Sequence, residues 1–96
     1  MIIRIVRLTI QPSKVEEFKS YFSDSYSKIS SFEGCTFLAL YHNVDFPNIL
    51  ITYSKWKSVE SLENYRVSEL FISTWKKVKP LFSDSPSAFS MEEEYF

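Results

Sequence analysis

The sequence predicts an α+β fold, in which a four-stranded antiparallel sheet carries helices on one of its two faces. Three observations predict it. Hydrophobic patterns follow one another in the order strand, helix, strand, strand, helix, strand. The opening strand is apolar on both faces. The segment Ile49–Trp75 reads as a buried strand that runs into a helix with a break in its middle.

The first strand and helix are predicted from the opening third of the chain. Met1–Gln11 is rich in Ile, Val and Leu and predicts a strand. Pro12 ends that strand, and Ser13 with Glu16 three residues later has the pattern of a capping box at a helix start. Apolar residues then recur at helical spacing as far as Ile29.

A β-hairpin is predicted next. Gly34 is expected to end the first helix in the left-handed conformation. Cys35–His42 and Ile49–Trp56 read as strands, and residues 43–48 between them contain the Asn, Asp and Pro typical of a turn.

The second helix is predicted in two parts. Ser58 is expected to cap a short helix, and Ser68 to cap another that runs to about Lys79. Residues 83–87 read as a loop, and Ala88–Phe96 as a final strand. The resulting order, β-α-β-β-α-β, is the ferredoxin-like arrangement within one domain of residues 1–96.

The face of the sheet without helices needs a cover, because neither side of the second strand is plainly polar. Aromatic residues make up 18% of the chain, more ring surface than one small core easily buries. We therefore expect a homodimer through the open sheet face, in the form of a dimeric α/β barrel.

Composition argues against several classes of function. Eleven basic and twelve acidic residues give a net charge of -1, so we expect no nucleic-acid partner. The single cysteine, Cys35, suits a reducing cytoplasm. No apolar run approaches the ~20 residues that span a bilayer, and the first strand does not read as a signal peptide, so we expect no membrane partner.

Two kinds of candidate site residue emerge. The aromatic side chains of Tyr53, Tyr65, Phe71 and Trp75 predict either a flat pocket for a planar aromatic ligand or ordinary core packing. The only histidine, His42, is either a general base or a half-exposed residue at a strand end. One Cys and one His are too few to hold zinc, so no metal site is expected.

The chain resembles the antibiotic biosynthesis monooxygenase (ABM) domain family of the dimeric α+β barrel superfamily. The resemblance rests on IVRLTIQP followed by KVEEF, on the helix end FEGC, on YSKWKSVESLENY and on SELFISTWKKVK, in that order. It implies a pocket between the sheet and the helices of each subunit. It also implies kinship both with oxygenases that act on anthrone-like and quinol substrates without a cofactor and with haem-degrading enzymes.

In the haem-degrading relatives, an Asn, a Trp and a haem-ligating His carry the chemistry. Their positions match Val6, Tyr65 and Trp75 here, so none of the three residue types is retained. Many members of the family also have a His where this chain has Glu69. The resemblance thus places Val6 in the pocket, and no cofactor is expected.

Alternation along the first strand puts Arg4 on the same side as Val6. Arg4 would hold an anionic group of a ligand, or else pair with Glu69 or another acidic residue. Glu69 would remove a phenolic proton, or else only stabilise its helix start.

Together these features predict a cofactor-independent monooxygenase for a small phenol or quinol. The alternative is a dimeric binding domain without chemistry. A third interpretation, haem binding through His42 or Tyr53, also remains open.

Overall fold

The structure, a computed structural model, describes residues 1–96. Seven main elements follow one another along the chain: β1 (Ile2–Thr9), α1 (Val15–Ser30), β2 (Cys35–His42), β3 (Ile49–Trp56), α2 (Val59–Arg66), α3 (Glu69–Val78) and β4 (Ser87–Met91). Two short 3₁₀ turns, Pro12–Lys14 and Lys79–Leu81, precede α1 and follow α3. The predicted β-α-β-β-α-β order with a divided second helix is confirmed.

The four strands form one antiparallel sheet in the order β2-β3-β1-β4. Strand β1 lies in the interior, with Arg4 opposite Ser54 of β3 on one side and Ser90 of β4 on the other. The α+β, ferredoxin-like fold predicted from the sequence is therefore confirmed.

The core lies between one face of the sheet and the helices. Its larger cluster combines residues from β1, α1, β3, α3 and the segments just after β1 and α3: Leu8, Ile10, Phe18, Leu50, Val78 and Leu81. A smaller cluster joins Ile2, Trp56 and Leu62 at the other end of the sheet. Alternation along the strands places these residues on one face and leaves the intervening ones on the other.

The predicted cap of the first helix is wrong. The chain makes a 3₁₀ turn through Pro12–Lys14 before α1, so Lys14 occupies the cap position and no side chain caps the helix there. Ser13 lies inside that turn, too early to accept a hydrogen bond from the first N–H groups of α1.

Gly34 is left-handed, with φ +91°, but the cap position of α1 is already filled by Ser31. Gly34 therefore shapes the turn that leads into β2. A side chain there would collide with the Cβ and Oγ atoms of Ser61 in α2.

The final strand is shorter than predicted. It ends at Met91, opposite Ile3, and residues 92–96 are exposed without regular structure. The acidic run Glu92–Glu94 thus lies outside the strand.

The open face of the sheet carries several exposed apolar side chains. Phe37, Tyr41 and Phe89 are 42%, 52% and 50% exposed, and Tyr53 lies between the first two rings. Lys55 Nζ sits 5.6 Å from the centre of the Phe37 ring.

No helix combines the length and the apolar character required to cross a membrane.

Candidate ligand cavity

A cavity of about 230 Å³ lies between the sheet and the helices. Its floor comes from alternate residues of β1 and β3, and its walls from α1, α2 and α3. Pocket volumes of roughly 300–1,000 Å³ are usual for drug-sized ligands, whereas about 150 Å³ is enough for benzene. The space therefore fits a planar ligand with a single substituted ring better than one with several fused rings.

One wall of the cavity belongs to a continuous series of aromatic rings, here called the aromatic file. Its members, in contact order, are Phe32, Trp56, Tyr65, Phe71, Trp75 and Phe82. The Trp56 and Tyr65 rings stack at 4.9 Å, and the Phe71 and Trp75 rings at 5.7 Å. Four of the six rings, those of Trp56, Tyr65, Phe71 and Trp75, line the cavity as well as packing on each other.

The structure brings together most of the residues predicted for the pocket. Arg4, Val6, Tyr65, Phe71 and Trp75 all line this cavity. The rings of Tyr65, Phe71 and Trp75 pack against one another as core residues do, and they also line the cavity.

Tyr53 does not lie with them, and its predicted place in the pocket is wrong. It points to the open face of the sheet, where its ring meets Phe37 at 5.8 Å and Tyr41 at 6.3 Å. The reason is the period of a strand: Thr52 and Ser54, the two neighbours of Tyr53, line the cavity, so Tyr53 faces the other way.

His42 and Glu69 also lie away from the cavity. His42 lines a separate surface groove with Glu16 and Lys19, and Glu69 is exposed at the start of α3. The candidate proton acceptors are thus not beside Arg4, and no ion pair joins Arg4 to Glu69.

Only three of the nineteen residues that line the cavity are titratable: Arg4, Tyr65 and Arg66. Burial raises the pKa of Tyr65 to about 12, with a smaller contribution from the charge of Cys35. Tyr65 therefore keeps its proton at neutral pH, so its hydroxyl can donate a hydrogen bond but cannot serve as a base.

Arg4 has no acidic partner within ion-pair distance. Its Nη1 donates a hydrogen bond to Ser90 Oγ at 3.1 Å. The pKa of Arg4 is lowered, first by burial and then by the positive charge of Arg66, while Glu63 acts in the opposite direction. Two guanidinium groups therefore stand near each other at one cavity, which is unfavourable unless an anion joins them.

Arg66 is the functional candidate that the sequence analysis missed. It closes the last turn of α2, one residue after Tyr65, and its Nη1 donates to Glu63 Oε1 at 2.8 Å. A basic residue in the last turn of a helix is ordinarily explained by the helix dipole, so the sequence alone gives no sign of a pocket residue.

Ser54 was missed as well. Its Oγ accepts a hydrogen bond from the buried Trp56 indole at 2.9 Å, and it lies opposite Arg4 on the neighbouring strand. Accepting that bond leaves the hydroxyl proton of Ser54 free to donate into the cavity.

The lining residues do not fit a haem group. The cavity offers no imidazole, thiolate or carboxylate, and the phenol of Tyr65 keeps its proton at neutral pH. The proposed alternative ligands, His42 and Tyr53, lie on other surfaces of the molecule. No group of three His, Cys, Asp or Glu side chains is placed to hold a metal ion.

Comparison with known proteins agrees with this fold. The sequence pattern of the ABM family, described as antibiotic biosynthesis monooxygenase, matches residues 1–77. The chain belongs to this family, and the resemblance seen in its motifs is confirmed. No curated protein sequence matches the chain.

Solved structures share the fold over nearly the whole chain. A conserved protein from Methanosarcina mazei Go1 has a TM-score of 0.91 at 22% identity, covering 98% of this chain and 94% of its own. A structure described as an antibiotic biosynthesis monooxygenase has a TM-score of 0.92 at 14% identity, covering 99% and 100%. A protein from Mycobacterium tuberculosis has 0.88 at 16%, covering 99% and 96%. Because the sequence identities are this low, the structural similarity establishes the fold of this chain and nothing about its activity.

Proposed function

We propose that the chain is a monooxygenase that oxidises a small phenol or quinol in the cavity without a cofactor. Family membership supports the reaction class. The observation that carries the substrate class is the cavity itself: a space of about 230 Å³ beside stacked aromatic rings, with guanidinium groups as its charged residues.

The reaction needs no outside reductant if the substrate supplies the electrons. A quinol and O₂ give a hydroxyquinone and water: one oxygen atom forms a new bond to the ring, and the other leaves as water with two hydrogens from the substrate. The protein's part is to hold the ring in a dry site and to stabilise the anionic form that reacts with oxygen. Arg4 and Arg66 supply the positive charge for this step.

The two side chains that the sequence suggested as proton acceptors do not line the cavity. Neither His42 nor Glu69 lies at the cavity, and Tyr65 keeps its own proton. We therefore assign proton removal to water at the mouth of the cavity, with the guanidinium groups lowering the pKa of the bound phenol.

Oxygen consumption with a panel of hydroquinones and anthrones tests the proposal. We expect turnover above the uncatalysed rate, and ¹⁸O from labelled O₂ in the product. Ala88→Phe, which places a ring among the cavity-lining residues, should abolish it, whereas Met91→Phe on the open face should not. Absence of turnover with compounds that bind would reject catalysis.

The second candidate is a binding domain with no chemistry. The observation that favours it is the lack of any carboxylate or imidazole among the cavity residues. It predicts that the same phenols quench the fluorescence of Trp56 and Trp75 but are recovered unchanged under air. Recovery of an oxidised product would exclude it.

We also propose that two copies pair through the open sheet face. Support comes from the exposed rings of Phe37 and Tyr41, which contact Tyr53, and from the exposed ring of Phe89 two strands away on the same face. A reducing cytoplasm remains our proposal for its location, on the basis of the free Cys35.

A further inference from the structure

The charged residues of the cavity are gathered at its mouth. Arg66, Pro86 and Ala88 line the cavity and are exposed, so they mark where it opens to solvent, beside β4. Arg4 belongs to the same end, because its guanidinium bonds to Ser90 of β4. The remainder of the lining is largely apolar.

This mouth carries an excess of one positive charge. Glu63 pairs with Arg66 at 2.8 Å, while Arg4 has no carboxylate within 4.0 Å. Two guanidinium groups and one carboxylate leave a single positive charge uncompensated. The site therefore matches a ligand with one negative charge.

Arg4 also has hydrogen bonds left to give. A guanidinium has about five N–H donors in a planar fork, and one of these is used on Ser90. Ser54, opposite Arg4 in the register, adds a hydroxyl proton. Such a fork fits the two oxygens of a carboxylate better than the one oxygen of a phenolate.

The absence of a base among the lining residues also favours a carboxylate over a phenolate as the bound anion. No residue of its lining can remove a proton from an entering phenol, whose ordinary pKa is about 10, whereas a carboxylic acid with a pKa near 4 enters already ionised. A carboxylate would therefore satisfy the positive mouth without any proton transfer.

We propose that Arg4 and Arg66 form a carboxylate subsite at the mouth of the cavity, so that the natural ligand is a single-ring aromatic acid. Its carboxylate lies at the mouth, and its ring lies along Tyr65 and Trp75. This inference rests on the proposed function and narrows the substrate class to aromatic acids whose hydroxyl group neighbours the carboxylate, so that both groups lie at the mouth beside Arg4 and Arg66.

Binding of benzoate and of methyl benzoate, measured by tryptophan fluorescence, tests the subsite. The two probes have the same ring, but only benzoate is charged. We expect benzoate to bind roughly tenfold tighter or more. Its affinity should fall with added salt, while that of methyl benzoate should not.

Substitutions of the two arginines test whether these residues cause the tighter binding of benzoate. Arg4→Gln should reduce the ratio of the two affinities to near one, and Arg4→Lys, which keeps the charge but loses the fork, should keep part of it. Arg66→Gln should lower the ratio as well. Arg7→Gln is the matched control, because Arg7 lies on the same strand but faces away from the cavity.

Equal binding of the two probes by the wild-type chain would overturn the subsite. So would equal effects of Arg4→Gln and Arg7→Gln in folded protein, as judged by circular dichroism. Neither probe is a quinol, so these results do not depend on turnover. Oxidation of neutral quinols without a preference for benzoate would leave the proposed function standing and reject the subsite alone.

Discussion

At the scale of the residue, Tyr65 combines a packing role with an ionisable group. Its ring stacks on Trp56 and meets Phe71 edge-on, and the same burial raises its pKa from 10.0 to about 12. A raised pKa in the folded state means that the native chain holds this proton more tightly than the unfolded chain does.

Tyr65 should therefore make stability fall as pH rises from about 10 to 12, because the unfolded chain loses the proton first. Below pH 10 the contribution is fully present, and across the window the loss is on the order of 1–3 kcal/mol. Urea unfolding of the wild type and of Tyr65→Phe at several pH values measures it. The stability difference between the two proteins should be constant below pH 10 and change only above it; a pH-independent difference would contradict the assignment.

Glycine is required at position 34 for two reasons: the backbone there is left-handed, and Ser61 leaves no room for a side chain. Gly34→Ala should cost roughly 2 kcal/mol or more, from about 1–2 kcal/mol of left-handed strain together with the collision against Ser61. Denaturant unfolding measures this cost.

Ser61→Gly separates the two causes, because it removes the Ser61 Cβ and Oγ atoms with which the new Cβ would collide. In that background Gly34→Ala should cost less, with only the backbone strain remaining. An unchanged cost in the double-mutant cycle would show that the contact with Ser61 contributes nothing.

At the scale of the element, the two parts of the divided helix begin in the same way. Ser58 Oγ accepts from the Ser61 N–H at 3.1 Å, and Ser68 Oγ accepts from the Phe71 N–H at 3.1 Å. Ser68 also donates to the Tyr65 carbonyl at 2.6 Å, which ties the start of α3 to the end of α2. This junction fixes the aromatic file across two helices.

Loss of either cap should destabilise the chain by about 1 kcal/mol. Ser58→Ala and Ser68→Ala are compared with Ser13→Ala, where the sequence suggests a cap but the structure has none. Thermal unfolding should show lower midpoints for the first two variants and almost no change for the third. A loss at Ser13 as large as at Ser68 would contradict the structural assignment.

At the scale of the whole molecule, the open sheet face is the apolar surface that the proposed dimer would bury. Ile5 lies near its centre, opposite Tyr53 on one neighbouring strand and Phe89 on the other. Burial of such a face contributes about 25 cal/mol for each Å² of apolar surface removed from water. Pairing of two copies would bury it without altering the cavity on the opposite face.

We expect the chain to sediment as a dimer and Ile5→Glu to shift it to a monomer, because a carboxylate at the interface would be buried without a partner. Ser20→Glu, at an exposed position of α1, is the control and should leave the dimer intact. Analytical ultracentrifugation at micromolar concentration measures the outcome. A wild-type monomer at that concentration would reject pairing through this face.

The sequence by itself determined the order and type of the elements, the helix starts at Ser58 and Ser68, and the bounds of β2 and β3. These features depend on hydrophobic periodicity and local capping, which neighbouring residues along the chain encode. The pocket positions of Arg4 and Val6 followed from strand alternation once the family resemblance oriented β1.

Only the tertiary structure decided which side chains share the cavity. It put Tyr53 on the opposite face, moved Glu69 and His42 away, and brought Arg66 beside Arg4. These outcomes depend on which face of each strand the helices cover and on where α2 ends over the sheet. Contacts between residues far apart in sequence set both, and local patterns do not encode them.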